Sequence, residues 1–194
     1  MKQKYITIAI LLSWIASASL VAQPKKEEKK LWDRMYVGGN LGLQFGTITD
    51  IEVSPHVGYY IYPRWSAGIG ITYEYYKQKG TLYNPYSRNT HIYGYNFFTR
   101  LALIQDMGQT FGIGNGISLI GEAEYERLSL SNVFKRSGTP SENGRFWLDS
   151  FLVGGGIKQA MSRRSSIYIL VMWNLNETID SPYSNPILKF GFDF

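Results

Sequence analysis

Residues 186–194 read PILKFGFDF. Leu188, Phe190, Phe192 and Phe194 alternate with Ile187, Lys189, Gly191 and Asp193. That is a period of two, so one face of the segment is wholly apolar and the other mostly polar. A water-exposed strand does not carry three aromatic side chains and a leucine in one row, and an unpaired greasy strand is an edge that invites aggregation. Closing the sheet removes the edge, because the last strand then pairs with the first. An apolar outer row beside a polar inner row is the pattern of a transmembrane barrel strand.

The same alternation recurs upstream. Residues 35–46 place Val37, Leu41, Leu43 and Phe45 on one face and Tyr36, Gly38, Asn40, Gly42 and Gln44 on the other. Residues 51–61 place Ile51, Val53, Val57, Tyr59 and Ile61 outward, with Glu52, Ser54, His56 and Gly58 inward. Pro55 falls on the outward parity, where its missing N–H requires a bulge or a locally broken ladder. Further strands are predicted over residues 65–76, 90–103, 116–126, 146–158 and 165–175, giving eight in all with the terminal one. Eight is an even number and the smallest typical of single-chain outer-membrane barrels.

Short turns are predicted at residues 62–64, 105–109 and 160–164, after the second, fourth and sixth strands. Longer polar loops are expected at residues 77–89, 128–143 and 176–185. Apart from a short first loop at residues 47–50, short turns lie on one side and long loops on the other, the asymmetry of such barrels, periplasmic and external respectively. Strands of roughly ten residues suffice to cross the hydrocarbon when tilted. Tyr59, Tyr62, Trp65, Tyr73, Tyr75, Tyr93 and Trp173 gather towards strand ends, as in interfacial aromatic girdles.

Met1 to Ala22 reads as a cleaved signal peptide: Lys2 and Lys4 form the basic start, and residues 6–20 are the apolar stretch. Cleavage after Ala22 or after Ser19 fits, and no cysteine follows to take a lipid. Residues 23–34 hold the charged run PKKEEKK and form a periplasmic lead-in. Residues 35–194 form the barrel. The chain has no cysteine, so disulfides contribute nothing to its stability. Its formal net charge is +5, of which Lys2 and Lys4 supply two, leaving +3 after cleavage. So small and scattered an excess gives no argument for nucleic acid as a partner, and none is expected. Mean hydropathy is −0.18, as expected when each strand is only half apolar.

Three stretches carry a family resemblance: SPHVGYYIYPRWSAGIGITYEYY (residues 54–76), LVGGGIKQAMSRRSSIYILVMWNLN (152–176) and PYSNPILKFGFDF (182–194). They resemble the small Gram-negative outer-membrane β-barrel domain proteins, an eight-stranded porin-like family. The resemblance covers essentially the whole mature chain and rests on turn residues, glycines and aromatics. It implies an integral outer-membrane barrel and supplies no catalytic residues. The terminal Phe190, Phe192 and Phe194 also resemble the C-terminal signal read by the machinery that inserts such barrels.

Three groups of residues have the makings of chemistry. Glu122, Glu124 and Glu126 share one strand face about 7 Å apart, which suits either a hard cation or an ion-paired lumen. A small barrel has no room for a channel, so its inward charges must satisfy one another. The expected lumen network is Glu52, Glu74, Arg100, Glu122, Glu124, Glu126, Lys158 and Lys189, with no metal or cofactor. His56 shares the inward face with Ser54 and Glu52, the components of an activated nucleophile. An enzyme acting on membrane lipid would instead present its nucleophile on the outer surface. His91 is expected at a loop edge, in solvent. Gly154, Gly155 and Gly156 lack the helix and the lysine of a phosphate-cradling loop, and fit a sharply coiled strand instead. Lys77, Lys79, Arg88, Lys135, Arg136 and Arg145 are placed to meet lipopolysaccharide phosphates or simply to be solvated.

The sequence thus predicts an all-β, eight-stranded antiparallel transmembrane barrel in the outer membrane, with a structural or surface-interaction role and no enzymatic activity. Its expected partners are outer-membrane lipid and lipopolysaccharide, plus the insertion machinery and periplasmic chaperones during assembly. An outer-membrane acyl hydrolase or acyltransferase and a soluble lipocalin-like barrel are the alternatives.

Overall fold

The computed structural model describes residues 31–44, 48–78, 88–112, 114–135, 144–182 and 185–194. Residues 1–22, read as the signal peptide, lie outside the described residues. The chain divides into two units, Met1–Asp33 and Arg34–Phe194. The second is a closed antiparallel barrel whose eight strands follow one another in sequence order around the ring.

The strands are β1 (Met35–Gln44), β2 (Ile48–Tyr62), β3 (Trp65–Gln78), β4 (Arg88–Ile104), β5 (Ile117–Ser131), β6 (Arg145–Ala160), β7 (Ser166–Asn174) and β8 (Ile187–Asp193). The strands from β2 to β6 are 14–17 residues long, well beyond the roughly ten expected. Alternation simply continues past the expected limits. Leu128 and Leu130, assigned from sequence to a loop, are the last inward positions of β5 and are fully buried.

Both ends of the ring are defined by connectivity. The near end holds the start of β1, the end of β8 and the connections β2–β3, β4–β5 and β6–β7. The far end holds the other connections. The β2–β3 connection is the two-residue turn Pro63-Arg64. The β4–β5 connection is not short: residues 105–116 include a one-turn helix, α1 (Met107–Phe111). Asp106 caps it by accepting hydrogen bonds from the backbone N–H of Gly108 and Gln109, and Gly112 ends it at φ +71°.

Outward and inward faces follow the sequence alternation. Val37, Val57, Ile69, Phe97, Phe151 and Ile169 are among the large apolar residues exposed on the outer face. Pro55 is accommodated as a local break: β2 pairs Val53 with Tyr73 and His56 with Gly70, and skips the two positions between without changing register.

The lumen is filled, and it is not uniformly polar. Ile120, Leu152, Tyr168, Leu170 and Met172 form one apolar cluster on the inner wall of β5–β7. Ile92, Leu128, Leu130 and Phe134 form a second towards the far end, with Tyr76, Phe146 and Leu148 packed on it. Inward glycines make the room. A Cβ on Gly58 would overlap the Tyr36 ring, and one on Gly191 would overlap Tyr168. In the triple glycine, Gly154 and Gly156 let β7 approach closely, since a Cβ at either would meet the β7 backbone.

The ring closes between β1 and β8 over a short seam. Gly38–Leu41 pair with Phe190–Asp193. Val37 and Phe194 extend it by exchanging two backbone hydrogen bonds, at 3.1 and 2.7 Å. The β5–β6 ladder, by comparison, runs the full fifteen residues of β5.

Candidate functional site

The polar interior is centred on Asp193, an inward residue of β8 that is 2% exposed. Its Oδ1 lies 3.0 Å from His56 Nε2 of β2. Its Oδ2 accepts from Arg100 Nη1 of β4 at 3.0 Å and from Lys158 Nζ of β6 at 2.6 Å. One carboxylate therefore ties four strands together. Arg100 also donates from Nε to Glu122 Oε2 at 2.5 Å and stacks 4.1 Å over the Tyr168 ring. Buried charges persist only when paired and hydrogen-bonded, and here each has an opposite charge in contact.

A second group lies beside the first. Lys189 Nζ donates to Glu124 Oε2 at 2.6 Å, and Asn96 Nδ2 donates to Glu124 Oε1 at 2.6 Å. Glu52 is only partly buried and accepts from Ser54 Oγ at 2.7 Å. Glu74 and Glu126 are buried and engaged in the same lumen. The eight charged residues read from sequence all point inward. Glu122, Glu124 and Glu126 do not converge on one point: the first two have different cationic partners, and among the described residues no cluster of carboxylates and histidines forms a metal site.

Alternation places Asn40 and Asp193 on the inward face, but neither they nor Tyr168 are among the residues expected in the network. Tyr168 OH donates to Asn40 Oδ1 at 2.6 Å, linking β7 to β1 over the inward Gly191 of β8. His56 and Asp193 link β2 to β8 over the inward Gly38 of β1. Two side-chain bridges thus cross the short closing seam, each passing over a residue without a side chain. The signal for them is faint but present: a glycine on the inward parity of the first and of the last strand.

The residues of the possible nucleophile do not assemble. His56 is engaged by Asp193, whereas Ser54 donates to Glu52 and has the Thr72 hydroxyl 3.4 Å away. Base and nucleophile have separate partners in a filled lumen. His91 lies near the start of β4, exposed on its outer face and stacked against Tyr73, with Nδ1 2.8 Å from the Tyr73 hydroxyl.

The basic residues expected at the loops divide. Lys79 and Arg136 lie outside the described residues, as does the side chain of Arg88. Lys135 pairs with Asp180 at 3.8 Å and sits over Phe146. Arg145 is the first residue of β6, held against the barrel wall by Ser129 and the His91 carbonyl and lying 4.2 Å over the Tyr93 ring.

No protein-family model matches the chain, and no curated protein matches it in sequence. Among solved structures, the N-terminal β-barrel domain of Pseudomonas aeruginosa OprF is similar at 10% identity and a TM-score of 0.41, over 82% of this chain and 94% of that one.

Proposed function

We propose that the protein is an integral outer-membrane β-barrel with a structural or surface-interaction role, exported through the signal peptide at residues 1–22. The observation that carries the reading is the inversion of polarity across the wall. Large apolar side chains such as Ile69, Ile71, Phe97 and Phe151 are 51–65% exposed on the outside, while Asp193, Arg100, Glu122 and Glu124 are at most 5% exposed within. A soluble lipocalin-like barrel needs the opposite arrangement. A lipid hydrolase needs a nucleophile on the outer surface, whereas Ser54 and His56 are buried in the lumen.

The filled lumen argues against an open channel. Phe190, Phe192 and Phe194 are the expected recognition signal for the insertion machinery, to which chaperones would deliver the unfolded chain. Outer-membrane lipid and lipopolysaccharide are the surroundings of the finished barrel. The test is membrane fractionation combined with gel migration before and after heating. Recovery in the outer-membrane fraction with heat-modifiable migration supports the reading. A soluble periplasmic protein with no such shift overturns it.

A further inference from the structure

On the largely apolar outer face, three charged side chains gather at one place. Near the far end of β5 and β6, Arg127, Asp149 and Arg145 all point outward. Tyr93, Ser129 and Trp147 form one row across β4, β5 and β6, and Tyr95, Arg127 and Asp149 form the next. The Arg127 guanidinium lies 5.4 Å over the exposed Trp147 ring, and that of Arg145 lies 4.2 Å over Tyr93. The two arginines therefore flank one shelf made by Tyr93, Ser129 and Trp147.

Both are fixed in place. Arg145 donates to Ser129 Oγ and to the His91 carbonyl, each at 3.0 Å. Arg127 Nε lies 3.4 Å from Asp149 Oδ1, which also accepts from the Tyr125 hydroxyl at 2.7 Å. Asp149 pairs with Arg127, whereas among the described residues Arg145 is held by neutral groups, Ser129 and the His91 carbonyl, so one positive charge of the patch is not matched there. A cation turned towards lipid is costly at the bilayer midplane and nearly free at the interface, where tyrosine and tryptophan also gather. The patch thus belongs at headgroup level, where its natural counter-ion is a lipid phosphate. A phosphate accepts charge-assisted hydrogen bonds from guanidinium, and donors already held in place, as Arg145 is through Nε and Nη2 by Ser129 and the His91 carbonyl, lose little freedom on binding.

We propose that Arg127 and Arg145 form a binding site for the phosphoryl headgroup of an outer-leaflet lipid, with Tyr93 and Trp147 as its apolar shelf and Asp149 positioning Arg127. The inference rests on the membrane reading above. Of the bases read from sequence only Arg145 takes part, and the site is on the barrel wall, not in the loops.

The test uses the full mature barrel in neutral detergent micelles. The probes are diphosphorylated lipid A, the same lipid enzymatically dephosphorylated, and inorganic phosphate. The wild-type barrel should bind the phosphorylated lipid at least tenfold more tightly than the dephosphorylated one, and inorganic phosphate should not compete. Arg127→Gln and Arg145→Gln should each weaken binding on the order of tenfold, the worth of one charge-assisted hydrogen bond. Arg163→Gln combined with Arg164→Gln, which removes two charges from the β6–β7 connection, should leave the preference unchanged. Equal binding of both lipids by wild type overturns the proposal without any variant having to fold. So does competition by inorganic phosphate, or an equal loss in the Arg163/Arg164 variant. A barrel that fractionates with the outer membrane yet ignores the phosphates leaves the membrane reading intact and removes only this site.

Discussion

His56 Nε2 and Asp193 Oδ1 stand 3.0 Å apart although β2 and β8 are not neighbours in the ring. β1 lies between them, and Gly38 is paired with both residues. A Cβ on Gly38 would sit 2.6 Å from each of the two bonded atoms, and closer still to the Phe192 carbonyl. Gly38 is therefore the opening through which the seam is bridged. Gly38→Ala should destabilise the barrel by about 1–3 kcal/mol, as overpacking does. The check is the urea midpoint in micelles, beside Gly39→Ala, where a Cβ would meet neighbours at 3.4–3.5 Å. A similar midpoint for both variants would deny Gly38 this role.

Asp193 holds three cationic or protonatable partners, so its removal strands buried charge. Asp193→Asn should cost about 3–5 kcal/mol, the range for breaking a buried pair by removing one member. Lys158→Met should cost clearly less, because Lys158 is 17% exposed and Asp193 retains Arg100 and His56. Unfolding in urea, followed by tryptophan fluorescence, should rank the two. The reverse order would move the centre of the network away from β8.

Ile69 is 59% exposed on the outer face. If that face meets hydrocarbon, Ile69→Arg should lose roughly 2–4 kcal/mol in bilayers and insert poorly into vesicles. If it met water, the same change would be close to neutral. Insertion of the refolded variant into phosphatidylcholine vesicles separates the two outcomes.

The absence of cysteine makes topology directly measurable. Glu177 lies in the β7–β8 connection at the far end, and Arg163 in the β6–β7 connection at the near end; both are exposed. With the far end outside the cell, Glu177→Cys should react with a membrane-impermeant maleimide on intact cells, and Arg163→Cys should react only after lysis. The opposite pattern would invert the barrel.

Phe194 is tied to Val37 by two backbone hydrogen bonds, and its ring is 59% exposed and 5.5 Å from that of Phe192. Phe194→Ala keeps the backbone bonds and gives up at most about 2 kcal/mol of apolar contact. The purified variant should therefore fold in detergent. In cells, a role in recognition by the insertion machinery predicts slow assembly and accumulation of precursor in the periplasm. Normal assembly kinetics in a pulse-chase experiment would show that the terminal ring serves contact alone.

The period of two determined most of the fold, because a strand has only two faces and side chains alternate between them without regard to distant structure. Leu188, Phe190 and Phe194 could face only outward once Lys189 and Asp193 faced inward, and a greasy edge of that kind required closure. The same rule placed Glu122, Arg100 and Lys189 in the lumen. Where it was applied too cautiously it fell short: the alternation through Leu128 and Leu130 continues β5, yet the polar residues beyond suggested a loop. The pairings inside were not legible. Which residues meet across a barrel depends on the stagger of the strands and on how far each side chain reaches over its neighbours, and neither leaves a period in the sequence. Asp193 meets Arg100 of β4 and His56 of β2 only because the ring closes with that register and Gly38 leaves the path open. Arg145 read only as one of several loop bases, and Arg127 drew no reading, for the same reason: only the alignment of β4, β5 and β6 sets them around Tyr93 and Trp147.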